Sequence, residues 1–172
     1  MFRPIYTFLL VLPLLSQHAV ADAALDHTLP MHQQVSGGYY VQGVFGSGVA
    51  SDLLVDTGSS YVVLSQPTFA RLKRDRAAVF QRTISGATAA GRVMVVKVYS
   101  ISELALGDGC VLRGVEAVVL PGADRDILGL SALRRLQPFA LQFEPPELRL
   151  SACPSPKPIA VGDKASAHAA GG

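Results

Sequence analysis

The sequence predicts a mainly β domain, closed into a barrel, with one or two short helices. Three observations carry this. Apolar runs of strand length recur between residues 39 and 150. Turn-forming residues separate them, such as Gly46-Ser47-Gly48 and Glu144-Pro145-Pro146-Glu147. Helical spacing is confined to a segment after Pro67 and another over 130–136. Many short strands with Gly-rich turns favour closure of the sheet, because closure removes exposed edges.

Residues 1–21 are set apart. Met1-Phe2-Arg3 is basic, residues 5–15 are an apolar core and Ala19-Val20-Ala21 is a small-x-small cleavage site. That layout is a secretory signal peptide. An uncleaved membrane anchor is the alternative, but the apolar core is short for a bilayer and Pro13 interrupts it. The chain is therefore expected to be exported, to a periplasmic or secreted location, with no stable membrane span after cleavage. Removing 21 of 172 residues leaves 172 − 21 = 151, one domain of ordinary size. Residues 22–35 form an N-terminal extension, expected to be loosely ordered. The domain is expected over 36–152, and 153–172 is a disordered tail of Pro, Lys, Ser, Ala and Gly.

Within the domain, 39–45 and 49–55 are strands of a hairpin, and 61–64 resumes as a strand. Pro67 opens a short helix to about residue 73, capped by Ser65 or Gln66. Strands at 79–85 and 92–99 flank Gly86-Ala87-Thr88-Ala89-Ala90-Gly91. Strands at 101–106, 111–120, 139–143 and 148–150 complete the set.

Composition excludes several functions. With Arg3 removed, 14 basic residues face 13 acidic ones, so no nucleic-acid or polyanion partner is implied. Arg71, Lys73, Arg74 and Arg76 suit the solvated face of a helix. His18, His27, His32 and His168 fall in the signal or terminal segments. They offer no metal-ligand spacing and no base for a serine nucleophile, so neither metal nor cofactor is expected. Neither Ser47 nor Ser131 sits in a Gly-x-Ser-x-Gly elbow. The glycine run 43–48 lacks the Lys and helix of a phosphate loop. Cys110 and Cys153 could pair in an exported protein or remain two thiols.

Chemistry concentrates in Asp56-Thr57-Gly58-Ser59-Ser60, between the apolar runs 53–55 and 61–64. A carboxylate ends one buried strand, and a Thr, a Gly and two Ser hydroxyls follow before the next begins. Asp, Gly and Ser also make ordinary turns, but a surface turn rarely lies between two runs this apolar. Downstream lies Asp126-Ile127-Leu128-Gly129-Leu130, with Leu130, Leu133 and Leu136 at helical spacing.

Together these motifs resemble the retropepsin-like (retroviral-type) aspartic proteases, particularly single-domain bacterial members with a signal peptide. The resemblance covers roughly 36–152. It implies a closed acid-protease barrel and an aspartic endopeptidase acting on a peptide or protein substrate. Asp56 would be the catalytic carboxylate, with Thr57, Gly58 and Ser59 supporting its loop. Ile127, Leu128 and Gly129 would pass behind that loop. Gly86, Ala87, Thr88, Ala89, Ala90 and Gly91 would form the tip of a flap. Leu54, Ile127 and the loop 121–125 would line the substrate pocket. A single Asp-Thr-Gly implies a homodimer, since enzymes of this class use two carboxylates that share a proton. Leu130 stands where retroviral enzymes commonly carry an Arg that ties the dimer, so that contact must come from elsewhere. A proteolytically silent peptide-binding or assembly domain of the same fold is the alternative.

Overall fold

The computed structural model describes residues 24–151 and 153, apart from 36, 47, 88–90 and 92. The expected signal peptide, the tail from 154 and the residues Thr88, Ala89 and Ala90 lie outside the described set.

Among the described residues the strands are β1 (His27–Gln33), β2 (Tyr39–Phe45), β3 (Val49–Val55), β4 (Val62–Leu64), β5 (Ala78–Ala87), β6 (Val93–Leu106), β7 (Cys110–Val119), β8 (Asp126–Leu128), β9 (Phe139–Phe143) and β10 (Pro146–Leu150). Helix α1 (Gln66–Arg74) follows β4, and α2 (Leu130–Leu133) runs into a 3-10 turn, Arg134–Leu136. Strands β2, β3, β8, β4, β7 and β6 are hydrogen-bonded in that order, and β6 pairs back with β2. The six close into a barrel, as expected. β5 extends the sheet beyond β6, and β1, β10 and β9 extend it beyond β2.

Two apolar clusters fill the domain. The larger holds Phe45, Leu53, Leu64, Leu104, Leu112 and Leu128, with Leu133 and Leu136 from the helical segment. The smaller is Val63, Val96, Val98 and Val118. Strand β6 serves both: Val96 and Val98 enter the smaller cluster, while Ile101, Leu104 and Leu106 enter the larger. That change of phase looks like a break at Ser100 in the sequence. The ladder nevertheless runs through it, since Ser100 pairs with Val79 and with Glu116. Two expected strands are therefore one.

Two other expectations are corrected. The segment 22–35 carries β1, which pairs with β2 and β10. Its buried Leu29 and Met31 alternate with exposed neighbours, a two-residue period too short to stand out among His, Thr and Pro. Residue 153 is not free tail, because Cys153 is disulfide-bonded to Cys110. The helix cap falls on Ser65, whose side chain accepts a hydrogen bond from the Thr68 amide. Arg71, Lys73, Arg74 and Arg76 are all exposed.

Candidate active site

Asp56 follows the last residue of β3, and its amide donates to the Leu128 carbonyl at 3.2 Å. β8 lies between the two strands that flank the loop. It runs parallel to β3, with Leu54 opposite Ile127 and Val55 opposite Leu128. It meets β4 in the antiparallel sense at Val63. The loop thus springs from strands that share one neighbour, which fixes both its ends.

The carboxylate of Asp56 is half-buried and held by two local donors. The Gly58 amide donates to Oδ1 at 2.8 Å, and the Ser59 hydroxyl donates to Oδ2 at 2.9 Å. The two contacts set the plane of the carboxyl group. A Cβ on Gly58 would stand 3.1 Å from Oδ1, too close for an ordinary contact. Glycine at this position therefore serves the Asp56 carboxylate of its own chain. Thr57 and Gly58 are exposed at the loop surface.

Behind the loop, Gly129 is buried against backbone. A Cβ there would lie 2.0 Å from the Tyr61 carbonyl oxygen and 2.8 Å from that of Ser59. The Leu130 amide donates to the Ser59 carbonyl at 2.8 Å. Ser131 adds a tie that no sequence motif announces. Its hydroxyl accepts from the Val62 amide at 2.8 Å and donates to the Glu116 carbonyl at 2.6 Å. Helix α2 thereby joins β4, β7 and the loop. Ser131 stands two residues beyond the motif glycine, which is the one sequence cue to this role.

The expected pocket residues divide. Ile127 packs against the smaller apolar cluster, together with Ile84, Met94, Leu120, Ala123 and Tyr61. Leu54 pairs with Tyr40 across β2 and β3, and its side chain crowds the Cβ position of Gly38. Of the loop 121–125, Ala123 joins the apolar cluster. Asp124 and Arg125 instead line a polar recess of about 440 Å³ with Tyr40, Ser51, Asp52 and Asp126. The Arg125 guanidinium holds the Asp124 carboxyl below the usual carboxylate range. Gly86 and Ala87 end β5, and Gly91 precedes β6.

Asp126 is a second carboxylate, one that its place in the sequence does not single out. It is buried, accepting from the Ser65 amide at 2.6 Å, the Thr68 hydroxyl at 2.7 Å and the Ser51 hydroxyl. It ties β3, β8 and the start of α1, and is used up in doing so. Among the described residues no three His, Cys, Asp or Glu side chains converge as metal ligands. No helix among them is long and apolar enough to cross a membrane.

A half-buried carboxylate thus stands on a loop braced by a glycine-containing strand and a short helix. Residues 44–135 match the family model described as "gag-polyprotein putative aspartyl protease". The chain belongs to that family. Its fold is similar to the crystal structure of a retropepsin-like aspartic protease from Rickettsia conorii, at 19% identity and a TM-score of 0.54. The match covers 72% of this chain and 91% of that one. No curated protein matches the sequence. Family and fold are thus those of a retropepsin-like aspartic protease.

Proposed function

We propose that this retropepsin-like chain is an endopeptidase that hydrolyses peptide bonds by water held between two Asp56 carboxylates, one from each protomer of a homodimer. The observation that carries the reading is the Asp56 carboxylate itself, oriented by Gly58 and Ser59 on a braced loop. One ionised carboxylate accepts the water's proton while its protonated partner donates to the peptide carbonyl oxygen. Asp108, between Gly107 and Gly109, sits in a turn between β6 and β7, so the sequence supplies no second Asp-Thr-Gly loop.

In this reading the exposed Thr57 bonds to the facing loop of the partner. Ile127, Ala123 and Leu54 form apolar walls for side chains beside the scissile bond, and burial of those side chains drives binding. The peptide lies extended under the β5–β6 hairpin, adding main-chain hydrogen bonds. The protein acts outside the cytoplasm. The Cys110–Cys153 disulfide supports this, since such bonds persist in oxidising compartments.

The test is digestion of a mixed peptide library by the wild type and by Asp56→Asn, with and without a statine-type inhibitor. Cleavage by the wild type that the inhibitor blocks and Asp56→Asn lacks supports the reading. Equal cleavage by both proteins removes Asp56 from the mechanism. Peptide retention without cleavage would instead identify a silent binding domain.

A further inference from the structure

One charged cluster borders the smaller apolar cluster and is not used by the chemistry above. Arg82 on β5 donates through both terminal nitrogens to the two carboxylate oxygens of Glu116 on β7, one of these bonds being 3.0 Å. It also donates to the Tyr61 hydroxyl at 3.3 Å. Tyr61 directly follows the Asp56–Ser60 loop, and β5 is bonded to β6 alone, at the sheet edge. The Arg82 side chain therefore reaches across β6.

The face involved is set by register. Arg82 pairs with Val98 and Ile84 with Val96, while Val98 pairs with Val118, two residues from Glu116. Arg82 and Glu116 thus share the face of the smaller apolar cluster and stand at its border. The β5–β6 register also slips between Phe80 and Arg82. Such a bulge bends the strand and increases its twist. What grips the residue beyond the bulge sets the direction the strand takes from there. A bidentate guanidinium fork fixes orientation as well as distance.

We infer that Arg82 is a positioning residue of the peptide cleft: gripped by Glu116 and Tyr61, it sets how the outer strands of the β5–β6 hairpin stand over the apolar cluster beside Asp56. This rests on the protease reading. Both side chains are about half exposed, Arg82 at 45% and Glu116 at 38%, so the pair serves placement more than global stability. It lies clear of the Asp56 carboxylate's own donors, so its loss weakens peptide binding and spares the chemical step.

The experiment compares wild type, Arg82→Ala, Glu116→Ala and the swapped pair Arg82→Glu with Glu116→Arg. For a peptide substrate the single variants should raise KM about five-fold with kcat within about two-fold. The swapped pair should recover at least half of that loss, because it restores the attraction across β6. Hydrogen exchange is followed in the same proteins, and the β5 amides beyond residue 82 should exchange faster in the single variants while β7 stays protected. This readout needs no activity, so an inert wild type would refute the protease reading and still decide the clamp. Unchanged exchange in Arg82→Ala, or a loss confined to kcat, overturns the inference.

Discussion

Gly129 lies so close beneath Tyr61 that a Cβ would stand 2.0 Å from the Tyr61 carbonyl oxygen. The obstacle is backbone, and rotamer changes cannot relieve it. Gly129→Ala must push the loop and β8 apart, straining the Asp56–Leu128 and Leu130–Ser59 hydrogen bonds that brace the site. The expected loss is about 3 kcal/mol, at the upper end for overpacking. Urea unfolding of the variant measures it, and a midpoint indistinguishable from wild type would mean that the loop yields freely.

Asp126 makes a second stability prediction. Asp126→Ala leaves the buried Ser65 amide and Thr68 hydroxyl without their acceptor, while the half-buried Ser51 hydroxyl still faces the Asp52 carbonyl. Buried polar groups left unpaired are costly, so unfolding should be easier by about 3 kcal/mol. Asp126→Asn keeps one carbonyl oxygen and should cost less. Equal denaturation midpoints for Asp126→Ala and wild type would count against the network.

These two residues also mark what is legible in the sequence. The Asp56 loop and Gly129 stand out because chemistry and close packing demand particular residue types at fixed spacing. The hairpin β2–β3 is visible as two strand-length runs joined by the turn-forming Gly46-Ser47-Gly48. Asp126 is not visible, since its partners Ser51 and Thr68 lie 75 and 58 residues away. The Arg82–Glu116 contact spans 34 residues and the disulfide 43, and neither leaves a local pattern. β1 is hidden because its burial depends on β2 and β10 covering it.

The disulfide gives a third prediction. Cys110 is buried at the start of β7, and Cys153 lies just beyond β10. The bond closes a loop of sequence separation 43, for which unfolded-chain entropy suggests about 4 kcal/mol. Cys110→Ser with Cys153→Ser should unfold at lower urea by a matching amount, and reductant should lower the wild type toward it. No response of the wild type to reductant under unfolding conditions would refute a stabilising bond.

Assembly gives a fourth. If two Asp56 carboxylates are required, activity depends on dimer concentration and not on chain concentration. Specific activity should fall on dilution, faster for Thr57→Ala if Thr57 bonds the facing loop. Sedimentation should show dissociation over the same range. Constant specific activity in a protein shown to be monomeric would defeat the two-chain mechanism.

The Arg82–Glu116 pair gives the last, in pH. The Arg82 side chain, hydrogen-bonded to Glu116, holds the Glu116 carboxyl below its ordinary value of 4.5. A carboxylate lowered on folding stabilises the fold fully above its unfolded value. That contribution fades as pH falls through the lowered folded value, because protonation then uncouples the pair. Arg82 moves the other way, further above its ordinary value, and stays charged throughout. The clamp should therefore survive into mildly acidic solution. The difference in Tm between wild type and Glu116→Gln should be steady from about pH 7 to about pH 5 and shrink below about pH 4. Added salt should reduce it throughout, since both groups are partly exposed. A difference that grows as pH falls has the wrong sign for this pair and would assign the stabilisation to another group.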